Sequence, residues 1–373
     1  MRRELEHVEI PGEHEAWVRA QALVLAAFAE REPRPRQRSW KPAAALALGA
    51  AGLAGLLSPP GRAVLGELRE VVGVEESEPA LFSLPAKGRV LAVSGTSASS
   101  VAEDGSTRLL GPYRDAAWSP FGRFVVGATP LQLAALEPNG DKRWSLARPD
   151  VRLPAWGGTR TDTRIAYLTR SRLHVVAGDG TGDVDAGGLP AAAAVRPAWR
   201  PGPGHVLAYA DTRGRVTVYD TRGAVRFRTG RHRGIRSLAW SPRGALLVVT
   251  DEGLVTFGQQ GQRLARRALT GIRSAEYAPT VTSLAVALGR EVLLLDARTL
   301  RTTARVFAGR GPFAGASWSP DGRWLLVSWP AADQWVFVQV RGGRRVLAFS
   351  NIGRQFDGSI PRIAGWCCAP ELR

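Results

Sequence analysis

Ala316-Ser317-Trp318-Ser319-Pro320-Asp321-Gly322-Arg323 decides the fold, because the chain repeats it. Ala116-Ala117-Trp118-Ser119-Pro120-Phe121-Gly122-Arg123 and Leu238-Ala239-Trp240-Ser241-Pro242-Arg243-Gly244 are the same phrase with two or three letters changed. Working outward from these copies, an aromatic recurs at Trp118, Trp156, Trp199, Trp240, Tyr277, Trp318 and Trp366, at intervals of 38, 43, 41, 37, 41 and 48 residues. A repeat of about 40 residues is the signature of a β-propeller, each repeat supplying one four-stranded blade.

The surroundings of each aromatic support that unit. An apolar strand ends at the aromatic, and Ser-Pro-x-Gly then places Pro where a turn wants a fixed φ and Gly where it wants a positive one. A β-rich run follows: 123–128, 164–169, 205–210, 245–250, 283–288 and 323–329. A third run ends in a second turn, at Asn139-Gly140, Asp179-Gly180, 220–223, Gln260-Gly261, 296–299 and 341–343. Asn-Gly and Asp-Gly are strong hairpin signals. The ends of the array also complement each other. Residues 88–112 read as a blade lacking its first strand, and Ile363-Ala364-Gly365-Trp366-Cys367-Cys368 reads as a first strand with no blade after it. The expectation is an all-β, seven-bladed β-propeller closed by the C-terminal strand, an arrangement that removes exposed edges. The seven aromatics are read as packing between blades rather than as ligand contacts.

These repeats resemble those of the TolB-like and WD-repeat-like families. Trp318-Ser319-Pro320-Asp321-Gly322-Arg323 matches the TolB-type phrase in full. Trp199-Arg200-Pro201-Gly202 and Tyr277-Ala278-Pro279 match in part, and the Gly-His and Trp-Asp dipeptides of true WD repeats are missing. The resemblance covers roughly residues 80–370. It implies a domain that binds proteins, although some relatives are enzymes and the fold alone does not give function.

Outside the propeller the sequence divides into three parts. Residues 1–41 form a basic tail with one amphipathic helix at 13–30, whose stripe of Trp17, Ala20, Val24 and Phe28 has helical spacing. Trp17, Val24 and Phe28 are therefore candidates for contact with a cytoplasmic protein or a membrane surface; a poorly ordered tail is the alternative. Residues 42–61 carry no charge, and a helix of about 20 such residues spans a bilayer. Eight Lys or Arg precede this segment, whereas 58–79 holds two, Arg62 and Arg69. The positive-inside rule then keeps the N-terminus in the cytoplasm and places the propeller outside it. A soluble buried helix is the remaining reading of 42–61. Residues 62–79 are a stalk and acidic linker, and 80–373 are the propeller.

The net charge of +17 points to a polyanionic partner. However, Arg supplies 47 of the 50 cations, beside abundant Ala and Gly, which also fits a GC-rich genome. No nucleic-acid motif accompanies the charge, so no nucleic-acid partner is expected. Cys367 and Cys368 are adjacent, which disfavours a disulfide between them, and they read as small strand residues. His7, His14, His174, His205 and His232 show no metal-ligand spacing and no neighbouring nucleophile motif. Gly178 to Asp183 mimics a calcium loop but lacks its closing Glu, so a hairpin turn explains it better. No catalytic residues, metal or cofactor are expected.

Alignment of the repeats on their aromatics yields the candidate site. Arg114, Arg152, Arg236, Arg273 and Arg362 stand four residues before an aromatic, and Arg196 stands three before; only Ala314 breaks the pattern. This is where the chain enters the innermost strand, so six guanidiniums are expected to ring one mouth of the central channel and grip carboxylate or phosphate. The alternative is that they bridge blades or cap loop carbonyls. The expected protein is a single-pass membrane protein whose extracytoplasmic propeller binds a protein or an anionic envelope component without catalysis. The alternative is a transmembrane regulator of anti-sigma type, whose tail holds a transcription factor while the propeller senses; it lacks the zinc-binding motif of such regulators. A propeller hydrolase or lyase is the third reading.

Overall fold

The computed structural model describes residues 83–186, 189–279, 282–356 and 358–368. Within them lie seven four-stranded antiparallel sheets. Blade 1 joins the C-terminal strand Arg362–Cys367 to Arg89–Val93, Ala98–Val101 and Thr107–Gly111. Its seam pairs Val90 with Trp366 and Leu91 with Gly365. Blades 2 to 7 follow in chain order, with first strands Asp115–Trp118, Val151–Gly158, Ala198–Trp199, Ile235–Trp240, Ser274–Tyr277 and Gly315–Trp318. Each first strand touches the first strand of the next blade, all the way round, and Gly315–Trp318 touches Arg362–Cys367. The first strands are therefore the innermost, and the ring closes through the C-terminal strand as the sequence implies.

Burial follows radius. Second strands such as Val206–Ala210 and Leu246–Thr250, and third strands such as Val216–Asp220 and Gly253–Phe257, are buried at every position, because neighbouring blades cover both of their faces. The outer strands Lys142–Ala147 and Arg263–Ala268 alternate between exposed and half-buried, as strands with one wet face do. The Ser-Pro-x-Gly turns share one construction. The Ser119 hydroxyl accepts from Phe124 N–H at 2.9 Å, and the Ser319 hydroxyl accepts from Trp324 N–H at 2.9 Å. Gly122 and Gly322 take φ of +63° and +65°, which a Cβ would oppose.

The repeated aromatics form a belt between blades. Each of four indole N–H groups donates to the carbonyl of the residue just before the aromatic of the preceding blade. These bonds are Trp118 to Gly365 at 3.3 Å, Trp199 to Ala155 at 2.9 Å, Trp240 to Ala198 at 2.9 Å and Trp318 to Glu276 at 3.0 Å. The aromatics thus carry both the packing and the polar stitching of the inner ring.

One expectation is corrected. Cys367 and Cys368 are joined as a vicinal disulfide. Their Cα atoms are 3.3 Å apart. Gly122 leaves the room for them: a Cβ there would stand 2.9 Å from Cys368 Sγ. Among the described residues no helix is long and apolar enough to cross a membrane. The span expected at 42–61, the stalk at 62–79 and the helical tail with Trp17, Val24 and Phe28 lie outside the described residues.

Candidate functional site: an arginine-lined channel mouth

The strand directions set the geometry. Every first strand runs from the same face of the ring toward its repeated aromatic, so residues at or just before the start of a first strand all gather on one face. The structure brings Arg114, Arg152, Arg196, Arg236, Arg273 and Arg362 into one cavity of about 940 Å³. Arg170, from the turn after the second strand of blade 3, adds a seventh guanidinium. Among the described residues only two carboxylates, Asp115 and Asp150, line the same cavity.

The seven arginines fall into two groups. The first is tied into the frame. Asp115 Oδ1 accepts from Arg196, from Arg362 at 2.6 Å, and from the N–H of Ala116 at 3.0 Å. Arg196 also donates to the carbonyl of Pro154, so one side chain spans blades 2 and 3. Burial pushes the Arg196 guanidinium below the usual arginine range, the Asp115 charge opposes that shift, and neighbouring Arg362 adds to it. Arg152 donates to the carbonyl of Arg170, Arg170 pairs with Asp150 at 2.9 Å, and Arg236 pairs with Asp251. The second group is Arg114 and Arg273, whose guanidiniums have no acceptor within reach among the described residues. Their backbone N–H groups continue the ladder to Ala128 and Ala287 at 3.0 and 2.8 Å, which fixes where each side chain starts.

Asp115 was not singled out in the sequence. The available signal was that, of the six positions following the aligned arginines, it alone carries an acid.

Two other elements bear on the chemistry. Glu276 lies in the inner strand of blade 6, where most blades have Ala or Ser. It accepts from Trp318 N–H and the Ser317 hydroxyl at 3.3 and 3.4 Å. Burial pushes its pKa up to about 7, with those two donors opposing. Residues 178–183 form a hairpin turn, with Gly180 N–H bonded to the Ala177 carbonyl at 2.9 Å. Its two carboxylates are already engaged: Asp179 accepts from Thr181, and Asp183 accepts from Arg148 at 2.8 Å and Tyr167 at 2.6 Å. Among the described residues no group of three or more His, Cys, Asp or Glu could hold a metal ion.

No family model matches the sequence and no curated protein matches it. Solved structures do match the fold. A chain of the mitotic checkpoint complex is 16% identical over 70% of this chain and 90% of that one, with a TM-score of 0.56. The C-terminal WD40 domain of Sif2 is 14% identical over 75% and 87%, with a TM-score of 0.53. KlHsv2 with its loop 6CD replaced by a Gly-Ser linker is 11% identical over 69% and 92%, with a TM-score of 0.50. The likeness is one of fold: this chain carries a WD40-like, seven-bladed β-propeller.

Proposed function

We propose that the chain is a non-catalytic binding propeller whose channel mouth takes the acidic segment of a protein partner. The observation that carries this is the charge imbalance of one cavity: among the described residues, seven arginines face two aspartates, and Arg114 and Arg273 have no paired carboxylate. A guanidinium stays charged and offers a planar fork to a carboxylate, so unpaired arginines at a concave mouth form a ready anion site. The tied arginines hold the shape and the free ones meet the ligand. Arg does not exchange protons near neutral pH, and both lining aspartates are held by arginines, so the cavity offers position and charge rather than acid–base chemistry. The WD40-like fold agrees with a protein-binding role, and the Trp318 to Arg323 phrase supports TolB-like repeats.

The reading includes a membrane anchor at 42–61, with the N-terminus in the cytoplasm and the propeller outside, supported by the uncharged run and the cation asymmetry. A reporter active only outside the cytoplasm, fused after Arg373, should be active. A chain recovered wholly in the soluble fraction rejects the anchor. For the mouth, a poly-glutamate peptide should bind the wild-type protein with an affinity that falls as salt rises. R114Q/R273Q should lose that binding while melting normally. Equal binding by the variant would reject the assignment.

A further inference from the structure

A second basic cavity lies between the outer parts of blades 4 and 5 and shares no residue with the channel mouth. It is a groove of about 660 Å³. One wall is the loop Gly230 to Arg233, and the other is the outer strand Arg263–Ala268 of blade 5. Five arginines line it: Arg231, Arg233, Arg263, Arg266 and Arg267. Among the described residues Glu252 is the only carboxylate that lines it, and it pairs with Arg266 at 3.6 Å. Arg267 donates to the carbonyl of Leu300 and the hydroxyl of Thr302, both at 2.7 Å, which fixes its side chain without neutralising it. Arg231, Arg233 and Arg263 have no acceptor within reach among the described residues.

The groove is held in place from below. His232 N–H donates to the Gly214 carbonyl at 2.7 Å, and Thr229 N–H donates to Val216 at 2.9 Å. Gly214 permits that approach, since a Cβ there would stand 2.6 Å from the His232 carbonyl oxygen. The His232 ring packs edge-on against Phe257, with centroids 5.8 Å apart. With His232 turned inward, Arg231 and Arg233 on either side of it remain exposed at the lip of the groove.

We infer that this lateral groove is a binding site for a phosphate monoester. Guanidiniums on two facing walls suit a compact tetrahedral dianion, whose several oxygens can accept from both walls at once. A carboxylate has two oxygens in one plane and serves one wall. The excess of positive charge over the single Glu252 favours two negative charges on one small group.

The test is calorimetric titration of the full chain with inorganic phosphate, with acetate at equal ionic strength as the reference. Phosphate should bind more tightly, and R231Q/R233Q and R263Q/R266Q should each weaken it by about tenfold or more. R114Q/R273Q should leave it unchanged, which separates this site from the channel mouth. All four groove substitutions fall on exposed side chains, so melting should be unaffected; should either Gln pair misfold, R231K/R233K keeps the charge, loses the fork and should still weaken phosphate. Phosphatidylcholine vesicles containing phosphatidic acid distinguish a lipid source: binding that inorganic phosphate competes away supports the site, and binding that it cannot displace overturns it. Phosphate no tighter than acetate, or loss confined to the mouth variant, also overturns it.

Discussion

Replacing Asp115 should show how the ring is locked. Its carboxylate stands where the closing strand, through Arg362, meets blade 2, and where Arg196 reaches across from blade 4. The two arginines differ in environment. The Asp115 and Arg196 side chains are 11% and 29% exposed, whereas Arg362 is 50% exposed. An exposed pair is worth about 0 to 1 kcal/mol, so Arg362→Ala should cost no more than that. Removing one partner of a buried pair leaves an uncompensated charge and costs about 3 to 5 kcal/mol, so Asp115→Ala should cost several times as much. At roughly 2 to 4 °C per kcal/mol for a domain of this size, its Tm should fall by on the order of 10 °C. Asp115→Asn keeps an acceptor oxygen and should fall between the two. The assay is thermal unfolding of the three variants, with a double-mutant cycle between positions 115 and 362 to isolate their direct term. A Tm for Asp115→Ala within a degree of wild type, or a cost for Arg362→Ala equal to it, would refute the argument that buried charge and not strand closure alone dominates here.

Three further outcomes are expected. Deleting residues 362–373 removes the inner strand of blade 1 and should cause aggregation or a much lower Tm; an unchanged melt would mean the ring does not depend on this strand. Gly157→Ala would place a Cβ 2.2 Å from Cγ of Trp199, so it should cost about 1 to 3 kcal/mol in chemical denaturation. Glu276 retains its proton in the folded state up to about pH 7, whereas the unfolded chain releases it near the ordinary 4.5. Between those values the native state binds more protons, so stability falls as pH rises and the full cost, roughly 3 kcal/mol, is reached above pH 7. Glu276→Gln should flatten that slope in urea titrations from acidic to alkaline pH.

The fold was legible where the local phrase states its own geometry. Ser-Pro-x-Gly fixes a turn within five residues, and the aromatic before it marks the end of an inner strand. Legibility fades where proline competes with pairing. The inner strand of blade 4 shrinks to Ala198–Trp199, since Pro197 and Pro201 flank it and neither can donate to a ladder. Blade 3 handles its own proline differently. Its strand Val151–Gly158 carries a register break between Arg152 and Ala155, and Leu153 takes φ +52°, so Pro154 is bulged out of the pairing. The outer strand Val184–Asp185 was hard to see because its Gly- and Asp-rich approach supplies no alternating apolar pattern.

The channel mouth was legible for a related reason: equivalent positions of a closed repeat must lie at one height about one axis. Five arginines at one register position, with Arg196 one residue off it, therefore had to converge, whatever their role. The division among them was not legible, because the partners that tie them come from elsewhere in the chain. Asp115 and Arg362 are 247 residues apart in sequence, and Asp115 and Arg196 are 81. Counting arginines could not separate frame from ligand contact in a chain with 47 of them; counting the carboxylates within reach of each one does. By that measure Asp115, Asp150 and Asp251 account for four of the seven mouth arginines, the Arg170 carbonyl holds Arg152, and Arg114 and Arg273 are left facing the cavity. The lateral groove obeys the same logic. Its arginines sit in a loop and an outer strand, where the repeat carries no phrase, so only the scarcity of carboxylates around them sets them apart.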